Sequence, residues 1–129
     1  MTTMPPSPFS LSVETRQAAV AVRVEGDLDY LTSRELVDAV TVALTRRHAA
    51  RHPVAGIRLD FSRLRSVDSS GLSALLRIRR LADEAGLALH LDERPAVLER
   101  LLDMTGTREL LTSPPGNVSP PEESTGPGR

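Results

Sequence analysis

The chain of 129 residues contains no cysteine, no lysine and no tryptophan, and aromatic residues make up only 2% of it. Without cysteine, disulfide scaffolds, thiolate zinc sites and cysteine nucleophiles are excluded. Without lysine, a phosphate-binding loop of the Gly-x-x-x-x-Gly-Lys type is excluded. Because so few side chains are aromatic, stacking platforms for bases or sugars are not expected, and the core must consist of Leu, Val, Ile and Ala.

An excess of charge of either sign is also missing. The 16 basic residues, all arginine, and 17 acidic residues leave a formal net charge of -1. This balance argues against bulk electrostatic binding to nucleic acid or to an anionic membrane. No apolar run approaches the roughly 20 residues that span a bilayer, and the first residues lack the order of a signal peptide. We therefore expect a cytoplasmic protein with no direct nucleic-acid partner and no membrane partner.

Proline marks the expected limits of the folded region. Of the 10 prolines, only Pro53 and Pro95 lie between residues 9 and 112. Residues 113–129 are rich in Pro, Gly, Ser and Glu, and they hold too few apolar side chains to offset the entropy lost on ordering. We expect a flexible N-terminus at 1–8, one folded domain at 9–112 and a disordered tail at 113–129.

Alternating apolar residues predict several strands. The clearest is at 18–25, where valines recur at every second position, and residues 9–14 are expected to pair with it. Residues 57–61 and 87–91 predict two further short strands. Residues 109–112 are expected to form a last edge strand.

Helical spacing of apolar residues predicts three helices, over residues 32–47, 71–85 and 95–106. Thr32 is expected to be the N-cap of the first, because an acidic residue follows three positions later in the pattern of a capping box. Arg79 is expected on the solvent face of the second, in an i,i+4 ion pair.

The resulting order β-β-α-β-α-β-α-β predicts an α/β fold, with a mixed, mostly parallel sheet packed against about three helices. In such a fold the turns that follow parallel strands meet at the carboxyl edge of the sheet, where binding sites are favoured. Three polar turns are expected at this edge, at residues 26–29, 66–71 and 92–94.

The segment Asp68-Ser69-Ser70-Gly71-Leu72 carries the most information about function. Asp68 or Ser69 can act simply as the N-cap of the helix that follows. Capping and function are compatible, since a serine at a helix start is exposed and a phosphate there would face backbone N–H groups and the positive end of the helix dipole. The preceding Arg63 and Arg65 could help to recruit a nucleotide-bearing partner or pair with a phosphate.

The run LDFSRLRSVDSSGLSALLRI, with GDLDYLTSREL before it and LERLLDMTG after it, resembles the anti-anti-sigma factor family. These anti-sigma factor antagonists are built on the STAS domain shared with sulfate transporters, and the resemblance covers about residues 9–112. It implies a STAS fold and partner switching. The unphosphorylated protein would bind an anti-sigma serine kinase and free a sigma factor, the kinase would phosphorylate a serine at the helix start, and a serine phosphatase would reverse this.

The resemblance implies that Ser69 is the phosphorylated serine. It also matches Ser70, Gly71 and Asp29 to family positions. Together with their place at the expected edge, this gives the candidate partner-binding residues Asp27, Asp29, Asp68, Ser70, Gly71 and Leu72. No catalytic residue, no metal ligand and no cofactor is implied, so we expect a binding module that is not itself an enzyme.

Two other functions compete with this interpretation. The same fold could serve as a STAS-type regulatory or structural subunit of a membrane transporter or of a larger signalling assembly. A small hydrolase would need a base for Ser69 or Ser70, but the motif lacks Gly-x-Ser-x-Gly and no histidine is expected beside it. His48 and His52 have i,i+4 spacing, but a metal site would need further ligands.

Overall fold

The computed structural model describes residues 9–16 and 18–112, so the expectations for 1–8 and 113–129 lie outside the described residues. Within this part of the chain two consecutive strands come first, single helices then separate the second, third and fourth strands, and two helices follow the last strand. The elements are β1 (Phe9–Arg16), β2 (Ala19–Leu28), α1 (Tyr30–Ala49), β3 (Gly56–Val67), α2 (Ser69–Ala85), β4 (Ala88–Asp92), α3 (Ala96–Thr105) and α4 (Arg108–Thr112).

The strands form one sheet in the order β1-β2-β3-β4. β1 pairs antiparallel with β2, whereas β2, β3 and β4 run parallel to one another. The expected α/β fold with a mixed, mostly parallel sheet is therefore confirmed. Since three strands point the same way, the turns that follow them lie at one edge, which we call the carboxyl edge.

The core lies between the sheet and its helices. The alternating apolar residues of the central strands are fully buried, as are apolar residues of α1, α2 and α3: Val20, Val22, Val24, Ile57, Leu59, Phe61, Leu36, Val40, Leu75, Ile78, Leu98 and Leu102. The alternate positions of the central strands carry ion pairs, with Arg58 Nε 2.9 Å from the Asp92 carboxylate. This polar/apolar alternation is what a sheet with one packed face requires.

β3 is longer than the expected strand at 57–61, because it continues to Val67. Two irregularities in its pairing with β2 accommodate the extra residues, one near Glu25 and one between Gly26 and Asp27. Such bulges insert residues into one strand and interrupt the alternation of side chains. Without that alternation, the sequence after residue 61 does not indicate a strand. The longer strand carries Ser66 to the end of β2.

The expected edge strand at 109–112 is wrong, because these residues belong to helix α4. Leu111 is fully buried, and its amide donates to the Thr107 carbonyl at 3.0 Å. Arg108 fixes this turn to α3 through the carboxylates of Glu99 and Asp103, the latter at 2.7 Å. These contacts bring Leu111 into the core by a helical turn instead of a strand.

Arg79 is also placed differently from the expectation. Its ion pair with Asp83 is confirmed, with Nε 3.1 Å from the carboxylate, but its side chain is only 4% exposed. A long arginine stem can be buried along apolar surface while its head keeps an anionic partner, so charge alone did not identify the solvent face.

Among the described residues, no helix combines the length and apolar character needed to cross a membrane.

Candidate functional site

The pairing of β2 with β3 places two acidic turns side by side at the carboxyl edge. Asp27 lies opposite Ser66, and the Asp68 amide donates to the Leu28 carbonyl at 3.2 Å. Asp29 directly follows Leu28 at the start of α1. The structure thus brings together Asp27, Asp29 and Asp68, as the sequence predicted, and Ser69 follows immediately on the same edge.

Asp68, and not Ser69, is the N-cap of α2. Its backbone is extended, and its side chain accepts hydrogen bonds from the amides of Ser70 at 2.9 Å and Gly71 at 3.1 Å. Ser69 occupies the first helical position, is exposed, and forms no side-chain hydrogen bond within the described residues. Its hydroxyl is therefore accessible at a helix start whose backbone is held by the neighbouring aspartate.

Gly71 sets how closely α2 approaches the sheet. A Cβ atom added there would lie 2.7 Å from the Leu28 carbonyl oxygen and 2.7 Å from Cγ2 of Val67. Real side chains do not tolerate such distances to backbone, so glycine is required by close packing. Leu72 is also buried, with 7% of its surface exposed. The structure thus places Gly71 and Leu72 beneath the turn, where they position it.

Asp29 is the N-cap of α1, so the expectation that Thr32 is the cap is wrong. The Asp29 side chain accepts from the amides of Leu31 at 3.0 Å and Thr32 at 3.2 Å. The Thr32 hydroxyl accepts from the Asp29 amide at 2.8 Å and donates to the Asp27 carbonyl at 2.7 Å. Thr32 is therefore the third residue of α1 and completes a capping box with Asp29. The cap lies three residues earlier than the sequence suggested.

Asp27 is held by an ion pair that the sequence analysis missed. Arg65 contacts its carboxylate at 3.1 Å through Nη2, and the Ser66 hydroxyl donates to it at 2.8 Å. The hydrogen bond from Arg65 and then that from Ser66 lower the pKa of Asp27 below its ordinary value. Opposite charges near the ends of neighbouring strands favour such an ion pair. Identifying Asp27 and Arg65 as the partners requires the irregular register between β2 and β3.

No group of three or more possible metal ligands occurs within residues 9–16 and 18–112. The carboxylates at the edge are instead used as helix caps or as the partner of Arg65. What the arrangement offers chemically is an exposed hydroxyl next to the Asp68 carboxylate, which holds the first amides of the same turn.

A family model described as "Mlab, STAS domain" matches residues 11–112. The chain belongs to the STAS domain family. This match spans nearly all of the described residues, so the STAS domain expected from the motifs is confirmed.

Known proteins that resemble this STAS domain include several anti-sigma factor antagonists. An anti-sigma F factor antagonist of Paenibacillus polymyxa is 28% identical over 103 residues, which cover 80% of this chain and 84% of that protein. A solved antagonist from Mycobacterium paratuberculosis aligns with a TM-score of 0.64 and 20% identity, covering 90% of this chain and 92% of the other. Unphosphorylated SpoIIAA, also an anti-sigma factor antagonist, aligns with a TM-score of 0.58 and 21% identity over 74% and 82% of the two chains. These structures share the fold of this STAS domain.

Proposed function

We propose that this STAS domain is an anti-sigma factor antagonist that acts by partner switching. The unphosphorylated form binds an anti-sigma serine kinase and thereby releases a sigma factor. The kinase phosphorylates Ser69, which ends the interaction, and a serine phosphatase restores the binding form. The observation that carries this proposal is the exposed Ser69 at the first position of α2, on a turn fixed by Asp68 and Gly71.

A fixed turn suits a serine that must enter another protein's active site. Asp68 holds the first amides of α2, and the close approach of Gly71 to Leu28 holds the helix against the sheet. Phosphorylation therefore meets a hydroxyl whose backbone position is already set. Less ordering entropy is then lost when the kinase binds, and this favours affinity.

The hydrogen bonds at this turn support a switch that acts at the interface. A phosphate on Ser69 adds about -1.5 to -2 charges at neutral pH. The amides of Ser70 and Gly71 are already used by Asp68. The added charge therefore lies next to the Asp68 carboxylate and would be buried against the kinase. Leaving a charge buried and unpaired costs about 3–5 kcal/mol, which is roughly two to four decades of affinity.

The candidate partner-binding residues divide into two roles in this proposal. Asp27, Asp29, Asp68 and Ser70 lie at the carboxyl edge, where a docked kinase would contact them. Gly71 and Leu72 are buried and act by positioning the turn. In this proposal the chain itself is a phosphate acceptor and binding module, and the kinase and the phosphatase supply the catalysis. Because the proposed kinase consumes ATP, a cytoplasmic location is part of the proposal.

The test is phosphorylation by candidate serine-kinase anti-sigma factors encoded in the genome that encodes this chain. Each kinase is incubated with the protein and ATP, and the product is digested with trypsin. Cleavage after Arg65 and Arg77 releases residues 66–77 as one peptide. This peptide contains four serines, so fragmentation must assign the phosphate among Ser66, Ser69, Ser70 and Ser73.

Three variants give the outcomes. Ser69→Ala should bind the kinase and take up no phosphate, whereas the matched control Ser70→Ala should still be phosphorylated at Ser69. Ser69→Asp should bind about 100-fold or more weakly than the wild type, by the charge argument above. Phosphate on another serine, or full-strength binding of Ser69→Asp, would overturn the switch. Stable capture by a membrane transporter complex without modification would instead support a transporter subunit.

A further inference from the structure

A shallow groove runs between the N-terminal halves of α1 and α2, directly beside the turn that carries Ser69. It encloses about 220 Å³, and Ser70 lies at its margin. The side chains that determine its chemistry come from both helices, namely Tyr30, Arg34 and Val37 from α1 and Ser73, Ala74 and Arg77 from α2. Neither capping nor the proposed phosphorylation explains this set of residues.

The groove has an apolar floor and a basic rim. Val37 and Ala74 form the floor and are 8% and 3% exposed. Arg34 and Arg77 are exposed, and neither forms an ion pair within the described part of the chain. Arg65, by contrast, is 3.1 Å from Asp27. The two rim arginines therefore keep their charge available for an anionic partner.

Tyr30 adds an aromatic surface at the end of the groove nearest the carboxyl edge. The chain contains one tyrosine and two phenylalanines. Phe9 and Phe61 are buried at 6% and 0% exposure, whereas Tyr30 is 73% exposed and the adjacent Leu31 is 77% exposed. Tyrosine and arginine are the residue types that most often dominate binding energy at protein interfaces. An exposed tyrosine beside two unpaired arginines thus has the composition of a docking surface.

We propose that this groove binds an acidic segment of the kinase that phosphorylates Ser69. Carboxylates of that segment pair with Arg34 and Arg77, and an apolar side chain packs on Tyr30. This inference rests on the proposed function and adds the chemistry of the partner. Charge complementarity specifies the occupant, and continuity with Ser70 places it within reach of a kinase bound at Ser69.

Charge reversal at the rim tests the proposal. Kinase binding is compared between each variant and the wild-type protein, and the probe is the kinase that phosphorylates the wild type in the test above. Arg34→Glu and Arg77→Glu should each weaken kinase binding by at least about tenfold, since each removes one attraction and introduces a repulsion across a desolvated contact. They should raise KM for phosphorylation of Ser69 and leave kcat unchanged. The matched control is Arg80→Glu, which is exposed on the same helix outside the groove and should change binding by less than about twofold.

The outcomes separate this inference from the proposed function. If the wild type is phosphorylated and both groove variants bind as well as Arg80→Glu, the docking surface is wrong and the switch at Ser69 stands. Tighter binding of the groove variants would show a basic partner segment and overturn the acidic occupant. If no kinase binds or modifies the wild type, the proposed function fails and the docking inference is overturned with it.

The absence of cysteine allows a direct check of contact. Ser73→Cys places a single thiol at the exposed margin of the groove, and Ser12→Cys places one at an exposed position of β1. Bound kinase should slow alkylation of the thiol at position 73 and leave that at position 12 unchanged. Equal alkylation rates at both positions would overturn the proposed contact.

Discussion

Helices α1 and α2 begin in the same way at the same edge, yet their first turns differ. Each starts from an extended aspartate, Asp29 or Asp68, whose carboxylate accepts two backbone amides. In α1 the third helical position is Thr32, which returns a hydrogen bond to the cap and a second one to β2. In α2 the third position is Gly71, which has no side chain and lies against the Leu28 carbonyl.

The difference shows two ways to build a helix start. The first turn of α1 is fixed by side-chain hydrogen bonds, and the large residues Tyr30 and Leu31 extend from it into solvent. The first turn of α2 shares the aspartate cap, but its third position is fixed by close backbone packing, and the turn exposes the small Ser69. Because Gly71 fixes the third position of α2 by packing and not by a polar side chain, the surface of this turn stays open, as the proposed phosphorylation of Ser69 requires.

The largest expected effect breaks the packing of α2. Gly71→Ala should lower the free energy of unfolding by about 1–3 kcal/mol, because the new methyl group overlaps the Leu28 carbonyl and the Val67 side chain. Alanine in a helix interior is otherwise favoured over glycine by about 1 kcal/mol. Helix propensity alone would therefore make Gly71→Ala stabilising, so a loss of stability must come from the packing. Urea unfolding measures the change. Ser73→Ala, on the exposed face of the same helix, should stay within about 0.5 kcal/mol of wild type, and equal stability of both variants would contradict the packing argument.

The next effect compares the two caps. Asp68→Ala should cost about 1–2 kcal/mol, since it leaves the part-buried amide of Gly71 without its acceptor. Asp29→Ala should cost less, about 0.5–1 kcal/mol, because the capped residues Leu31 and Thr32 are more exposed than those of α2, and the Thr32 hydroxyl still bonds the backbone. Urea unfolding of the two variants under identical conditions decides the order. A larger loss for Asp29→Ala would mean that the box in α1 contributes more than the packed start of α2.

The smallest effect concerns the ion pair that links the two turns. Arg65→Ala should raise the pKa of Asp27 towards the ordinary value of about 3.9, because the largest cause of its lowering is removed. NMR titration of the Asp27 carboxyl carbon measures this, and Arg63→Ala serves as the control that should leave it unchanged. Since the folded pKa is depressed, the stabilisation is present above the unfolded pKa and is lost as pH falls through the folded value. An Asp27 titration unaffected by Arg65→Ala would show that the pair is not formed in solution.

Much of the fold could be predicted because the central elements follow simple periodicities. Valines at every second position identify β2, and leucines at helical spacing identify α2. The carboxyl edge followed from the order of strands and helices. The grouping of Asp27, Asp29 and Asp68 followed from that edge, because each lies at or just beyond the end of its strand.

The missed features depend on contacts between distant residues. The pair of Asp27 with Arg65 requires the bulges of β3, whose effect on register cannot be deduced from alternation. α4 was mistaken for a strand because four residues are too few to separate the two periodicities. Its position is decided by the contacts of Arg108 with α3. The groove depends on the side-by-side packing of α1 and α2, which no local pattern encodes.

The antiparallel pairing of β1 with β2 bears on how binding should be measured. Phe9 lies opposite Gly26, so the described residues begin at the same edge as Asp27 and Ser69. An affinity tag attached ahead of Phe9 would join the molecule beside the proposed kinase surface. The described residues end at Thr112 on α4, which packs against β4, the strand on the other side of the sheet from β1. Immobilisation through the N-terminus should therefore hinder capture of the kinase more than immobilisation through the C-terminus, and comparing the two orientations would map the binding surface without any substitution.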